Sequence, residues 1–419
     1  MLALGIDVGT SGARAVVIDG DRTVCAQSHV VFPELDQGKA KLWRDSLYQL
    51  LTQIPPELRS RLGAIALNGT SSTVMLCDTS GQPITEPLMY NDAQNEIVLD
   101  VVRAIAPANH AVISSTSTFA KVVAWVEQGV PVAGTYLMHQ ADWLAFLLHG
   151  RLGISDDHNA LKLGYDVGTL TYPDWLLMYA ANHQITLPRV YGPGEQIGTV
   201  DGAIAHQFQI PSTCCVYAGT TDSIAAFLAS GATQPGEAVT SLGSTLVLKL
   251  LSKTRIDDPA LGIYSHRLGD LWLVGGASNT GGAVLRQFFT NAELETLSAQ
   301  IPVDSPSLLD YYPLVKPGER FPVNDPTLQP RLGPRPTDPV VFLHGLLESI
   351  ARIEALGYQR LQDLGATPLT HVYTAGGGAK NPAWLKIRDR HLPVSVSVAS
   401  HTDAAYGSAL LALNGRSAN

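Results

Sequence analysis

The sequence predicts an α/β fold in two related domains, and three observations carry that prediction. The chain is 419 residues long, more than one hydrophobic core usually organises, since chains divide beyond roughly 250–300 residues. Glycine-rich turns repeatedly separate short apolar runs of strand character from stretches of helical spacing. A unit of apolar strand, Gly-Ser/Thr turn and second apolar strand occurs twice, as LGIDVGTSGARAVVI near the N-terminus and as AVTSLGSTLVLKLL from Ala238. The chain reads as internally duplicated.

Taken in order, residues 2–7 and 13–18 form a hairpin about Gly9-Thr10-Ser11-Gly12. A third strand follows over 23–32, then a helix over 41–51 in which Leu42, Leu47, Leu50 and Leu51 recur at helical spacing. Strands at 64–67 and 73–77 flank the turn 68–71. From 91 to 209 the pattern is less regular, with helical windows at 121–127 and 139–148, and this stretch is expected to be an insertion that elaborates a substrate cleft. A strand at 214–218, a turn at 219–222 and a helix at 223–230 end the first half. The second half opens with strands 237–242 and 246–251 about Gly243-Ser244-Thr245. A strand at 272–276 and a helix from 281 lead to a long amphipathic helix, 341–364, with Leu346, Ile350, Ile353 and Leu356 on one face. A strand at 372–375, the run Gly376-Gly377-Gly378, a helix from 382, a strand at 394–398 and a helix at 403–413 complete the chain. Segment 318–339 holds too many prolines for regular structure and is expected as a long surface loop.

Composition narrows the function. Hydrophobic residues make up 45% and charged residues 16%, which describes a globular protein. The net charge is −9 and no basic run is long enough to neutralise a phosphate backbone, so nucleic acid is not expected as a partner. No apolar stretch approaches the ~20 residues that cross a bilayer, and no signal-peptide pattern precedes the first strand; a cytoplasmic setting without a membrane partner is the expectation. Cys25, Cys77, Cys214 and Cys215 lack CxxC spacing and are expected as small apolar residues, the last two on opposite faces of a strand.

Phosphoryl transfer needs main-chain N–H groups for phosphate oxygens, a carboxylate for hydrated magnesium and a base at the acceptor hydroxyl. The turn Gly9-Thr10-Ser11-Gly12 and the turn Gly243-Ser244-Thr245 offer the first, and Asp7 at the end of the first strand offers the second. Asp222 offers the third, at the carboxyl end of a strand where α/β folds place their ligands. Alone, each has a plainer reading: a β-hairpin turn for either glycine motif, a helix N-cap for Asp222. The Gly376 to Gly378 run, followed by Asn381, opens a helix and leaves room for a base or phosphate. Neither a P-loop nor a GxGxxG fingerprint is present.

These ordered motifs resemble the FGGY carbohydrate kinases, which share an ATPase fold with actin, hexokinase and the heat-shock chaperone ATPases. The resemblance spans essentially the whole chain. It implies two actin-like (RNase H-like) domains with a nucleotide and sugar cleft between them: a sugar-binding domain at 1–230, a nucleotide-binding domain at 231–401, and a helix in 402–419 packing back on the first. By the same resemblance ATP and Mg²⁺ are the cofactors. In GIDVGTSGARAVVID, Asp7 would assist the metal, with Thr10, Ser11, Gly12 and Arg14 near the phosphates or sugar. NGTSSTVMLCDTSGQPITEPLMYNDAQ would bring Ser71, Asn91 and Asp92 to the sugar. AGTTDSIAAFLASG resembles the segment that carries the catalytic base, here Asp222. SLGST places Gly243, Ser244 and Thr245 beside the β- and γ-phosphates, GGASNTGGAVLRQF puts Gly281 and Gly282 near the nucleotide, and GGGAKNPAW brings Gly376, Gly377 and Asn381 to the adenosine.

The sequence departs from the xylulose kinases at Ser71-Ser72-Thr73-Val74-Met75, where those usually carry a Gln-Met-His-Gly run. Across GTTDSIAAFLASGATQPGEAVTSLGST and LGYQRLQDLGATP it is similar to the compact branch of cyanobacteria and plants, whose substrate is thought to be D-ribulose. The resemblance therefore implies a small-molecule sugar and ATP as partners, with D-ribulose as acceptor; D-xylulose, a polyol, or a non-kinase actin-like ATPase are the alternatives. His158 is expected in a solvated loop or hydrogen-bonded at the sugar cleft, and Lys121 and Lys162 as surface cations at helix edges.

Overall fold

The computed structural model describes residues 1–33 and 38–415. The chain divides into two units, one of residues 1–229 with 403–419 and one of residues 230–402.

The first unit begins with β1 (Leu2–Val8), β2 (Gly12–Ile18) and β3 (Val24–Val31), an antiparallel meander, and β4 (Leu62–Gly69) then runs parallel to β1. Two strand pairs stand outside this sheet: β5 (Val74–Cys77) with β6 (Tyr136–His139), antiparallel, and β7 (Ile154–Asp156) with β8 (Arg189–Tyr191), parallel. The chain returns through β9 (Gln196–Thr199) and β10 (Cys215–Thr221), giving a six-stranded sheet of order β3-β2-β1-β4-β10-β9. Alternation sorts its side chains onto two faces. Leu4, Ile6, Val17, Ile65 and Leu67 pack with Trp43, Leu47 and Leu50 of the helix Lys39–Gln53 and with Trp143, Leu144 and Leu148 of the helix Gln140–His149. Ala3, Val16, Ala64 and Ala66 face the helix Ala404–Leu413 through Ala405, Ala409 and Ala412. Asn68 fastens that helix, its Nδ2 donating to Ile6 O, Ala404 O and Ser408 Oγ.

The second unit repeats the plan. It contains β11 (Glu237–Leu242), β12 (Leu246–Ser252), β13 (His266–Leu268), β14 (Leu271–Ser278), β15 (His371–Ala375) and β16 (Val396–Val398), in the order β13-β14-β12-β11-β15-β16. The antiparallel run β14-β12-β11 followed by parallel β15 and β16 matches β3-β2-β1 followed by β4 and β10. The duplication read from the two strand–turn–strand segments thus extends to five strands of each sheet, the sixth, β9 or β13, being added at opposite edges.

Three sequence expectations change, and one strand takes a partner the sequence did not indicate. The strand at 74–77 does not pair with β4, because the turn 70–73 swings it out to meet β6 and Leu88. No turn separates residue 218 from Asp222: β10 runs through Thr221 directly into the helix Asp222–Ala229, with a register irregularity between Tyr217 and Thr220. There a Cβ on Gly219 would sit 1.8 Å from Leu67 O, so only glycine lets the strand pass. In the helix Pro339–Asp363 the buried stripe runs Leu346, Ile350, Ile353, Gly357, Leu361; Leu356 is 45% exposed because the i+4 step from Ile353 falls on Gly357. Segment 318–339 lacks regular structure as expected, but it is not purely superficial, since Glu319 and Phe321 are buried. Glu319 accepts from Ser278 Oγ, Asn279 N and Tyr312 Oη, which anchors the segment on the end of β14. Among the cysteines, Cys77 and Cys214 are buried, Cys25 is exposed, and all four are free.

No helix among the described residues is long and apolar enough to cross a membrane.

Candidate active site

In the first unit, three carboxylates gather at the carboxyl ends of parallel strands. Asp7 lies near the end of β1, opposite Arg14 on β2 and Asn68 on β4. Asp222 opens the helix that follows β10, its Oδ1 accepting from Ser223 N at 2.7 Å. Asp403 caps the helix Ala404–Leu413, accepting from Ala405 N, and its other oxygen lies 3.8 Å from Arg14 Nη1. Their fields meet at Asp7. Burial, then the negative charges of Asp222 and Asp403, raise its carboxyl to about 7 against a smaller opposing effect of Arg14. Asp7 Oδ1 is buried without a hydrogen-bond partner. Asp403 was not singled out from the sequence: the resemblance implies that its helix packs back on the first domain, but not that the carboxylate capping it reaches the field of Asp7.

The hairpin turn holds Gly9 N to Gly12 O at 3.0 Å and leaves Thr10, Ser11 and Arg14 exposed at the same end of β1 and β2. Ser71 lies half-buried in the turn after β4, and Asn91 and Asp92 lie in a second turn, exposed and half-buried. The two turns are joined by Lys121, which the structure places away from any surface. It is fully buried on the helix Thr118–Glu127, and its Nζ donates to Ser72 O and Met89 O. The expected surface cation is corrected: the residue stands on a helix covered on every side, with Phe119, Ala120, Val122 and Val123 buried around it. Lys162 is half-buried.

His158 is likewise buried rather than solvated, its Nδ1 2.7 Å from Thr220 Oγ1 beside Asp222. Ligand atoms of Asp156, Asp157 and His158 lie within 4.8 Å of one another, but Asp156 is engaged on both oxygens. It accepts from His158 N, Asn159 N and Asn159 Nδ2, as the cap of a short helix.

The second unit assembles the other predicted residues. Gly243-Ser244-Thr245 joins β11 to β12, and Gly282 N and Ala283 N donate to Gly243 O and Ser244 O. This stitch brings Gly281 and Gly282 against the turn; Gly281 has φ 139°, and a Cβ there would lie 2.8 Å from Ser244 O. Gly376, after β15, lies against Leu242, with Gly376 and Gly377 exposed. Asn381 caps the helix Pro382–His391 by accepting from Trp384 N, and its Nδ2 donates to Ser298 Oγ. One cation was not foreseen: Arg286 Nη2 donates to Ser244 Oγ at 2.8 Å, placing a guanidinium on the glycine turn where anionic oxygens would be expected.

Two glycine-turn sites on two copies of one sheet, with a carboxylate cluster on the first, agree with what the chain matches. Residues 2–229 match the N-terminal domain, and residues 238–415 the C-terminal domain, of the FGGY family of carbohydrate kinases. The chain belongs to this family. A xylulose kinase of Streptomyces coelicolor is 28% identical, the alignment covering 91% of this chain and 81% of that protein. A glycerol kinase of Ralstonia nicotianae is 25% identical, with 94% and 85% covered. Among solved structures, a xyloylose kinase from Brucella ovis superposes with TM-score 0.86 at 22% identity, over 99% of this chain and 90% of that one. As an FGGY member the chain is an ATP-using phosphotransferase with an alcohol group as acceptor, and its two α/β domains have the fold of the sugar kinases.

A metal-free measurement tests the carboxylate cluster. Because the Asp7 carboxyl is raised in the folded chain, the folded state holds a proton that the unfolded state releases. Its contribution to stability is therefore present below the ordinary carboxylate value of 3.8 and lost as pH rises through about 7. In Asp7→Asn this loss should disappear, seen as a flatter dependence of urea midpoint on pH in EDTA; an unchanged slope would remove Asp7 as the titrating group.

Proposed function

We propose that this FGGY kinase phosphorylates a ketopentose, most specifically D-ribulose to D-ribulose 5-phosphate, with Asp222 as the general base. The observation that carries the catalytic assignment is the convergence of Asp7, Asp222 and Asp403 at one end of the sheet in the first unit. In this reading the Asp222 carboxylate takes the proton of the terminal sugar hydroxyl as that oxygen bonds to the γ-phosphorus and the bond to the ADP oxygen breaks. Gly243, Ser244 and Thr245 receive the β- and γ-phosphates, with Arg286 adding positive charge at Ser244. Gly281, Gly376, Gly377 and Asn381 would lie along the rest of the nucleotide. The phosphate-side hairpin supplies Thr10, Ser11 and Gly12.

The buried, unpartnered Asp7 Oδ1 and the neighbouring carboxylates fit a hydrated divalent cation. Asp7 would hold Mg²⁺ through water, and the ion when bound neutralises charge on the phosphate oxygens.

The preference for D-ribulose rests on the likeness of GTTDSIAAFLASGATQPGEAVTSLGST and LGYQRLQDLGATP to the compact branch, with Ser71, Asn91 and Asp92 as acceptor contacts. The xylulose kinases among the relatives favour D-xylulose as the second reading. A coupled ADP assay across D-ribulose, D-xylulose, L-ribulose, glycerol and ribitol decides. D-ribulose is expected to give the highest kcat/KM, by about tenfold or more over D-xylulose. Equal or higher kcat/KM for D-xylulose would overturn the D-ribulose assignment and leave the second reading.

A further inference from the structure

Lys121 is a costly group to bury in the first unit. Its side chain is fully buried, and its ammonium meets two main-chain carbonyls rather than a carboxylate. Burying an ammonium costs several kcal/mol unless it is well paired, and carbonyl dipoles only partly offset that. Burial pulls the group down to about 8, opposed by Asp92 and reinforced by Lys162. A methionine would fill the same volume without this cost.

What the ammonium holds explains its presence. Ser72 is a non-glycine residue with φ 64°, in the left-handed region, and Lys121 Nζ bonds its carbonyl at 2.8 Å. Met89 O accepts from Lys121 Nζ and also from Asp92 N, while Asp92 Oδ2 accepts from Met89 N at 2.7 Å. Tyr90 N donates to Thr73 Oγ1, and Thr70 N to Gln140 Oε1. One buried cation therefore clamps the Ser71–Ser72 turn to the turn that aims the Asp92 carboxylate. Gly69, which leads into the first turn, is paired with Thr221, the residue before Asp222. The clamp thus follows the strand that neighbours the one leading to the base.

We infer that Lys121 is a positioning residue for the acceptor sugar, fixing Ser71, Asn91 and Asp92 as one rigid subsite and so setting acceptor affinity and selectivity. This rests on the reading of those residues as the acceptor subsite. Lys121→Met should raise the acceptor KM by about tenfold or more, leave the ATP KM within about twofold, and flatten the ranking of the five acceptors. A merely structural role would lower turnover of all acceptors alike without changing their ranking. An unchanged acceptor KM and ranking, or an ATP KM raised equally, would overturn the inference.

If Lys121→Met gives no cooperative melt, hydrogen exchange on the unaltered chain decides. A saturating acceptor that the chain phosphorylates should slow exchange at 70–73 and 89–92 together. Slowing elsewhere with neither turn affected would overturn it. Failure of D-ribulose in the assay is a separate outcome, since the best acceptor of the panel then serves as probe.

Discussion

Asp222→Asn is expected to lower kcat by roughly 10² to 10⁴, the usual contribution of a positioned base, while the KM for ATP stays near that of the unaltered chain. The amide is nearly the size of the carboxylate and can still receive Ser223 N, so the helix Asp222–Ala229 keeps its start. What disappears is the proposed proton acceptor and one of the negative charges that raise Asp7. The same substitution should therefore shift the Asp7 titration downward in the metal-free chain, because one of its three raising influences is gone. Two readouts moving together would tie Asp222 to both the acceptor hydroxyl and the carboxylate cluster. Unchanged turnover would remove Asp222 from the chemistry, whatever the titration does.

How much of this was legible in the sequence depended on whether the signal was local. The hairpin about Gly9 to Gly12 and its copy about Gly243 to Thr245 were readable, because alternation and turn residues act over a few positions. The repeat then implied the same sheet twice, which the strand orders bear out over five strands of each. Asp222 was recognisable as a strand-end acid, although the expected turn before it is absent and its place is set by Gly219 against Leu67. Lys121 and Asp403 were not legible as they stand. A lysine inside a helical window looks solvated unless one knows that all faces of that helix are covered. Asp403 lies 396 residues beyond Asp7 in sequence, and only the docking of its helix through Asn68 and the alanine face brings the two carboxylates within influence of each other. Arg286 was quoted within a motif, but its tie to Ser244 depends on the stitch between two loops that local pattern cannot reveal.

The largest stability effect is expected in the second unit, at Glu354. Its carboxylate and the Arg388 guanidinium are both fully buried and meet in two parallel bonds, Nε to Oε2 at 2.6 Å and Nη2 to Oε1 at 2.7 Å. Thr240 of β11 donates to Glu354 and contacts Tyr358, and Arg388 Nη1 donates to Thr374 of β15. The network ties the helix Pro339–Asp363 and the helix Pro382–His391 to the adjacent parallel strands β11 and β15. Glu354→Gln leaves the guanidinium buried beside a neutral partner and should destabilise the unit by roughly 3–5 kcal/mol, the range for breaking one side of a buried pair. The double variant Glu354→Leu, Arg388→Met removes both charges and should regain most of that loss, because what is costly is the orphaned charge rather than the missing bond. Calorimetric unfolding of the single and double variants distinguishes the two cases; a double variant as unstable as the single would mean that the pair itself, and not its completeness, stabilises the core. The consequence reaches function through the strands. Thr240 and Thr374 stand two residues before Leu242 and Gly376, whose main chains meet at the glycine turns. A loosened Glu354 variant that still folds should accordingly bind ATP more weakly while its acceptor KM is unchanged, the reverse of the split expected for Lys121→Met.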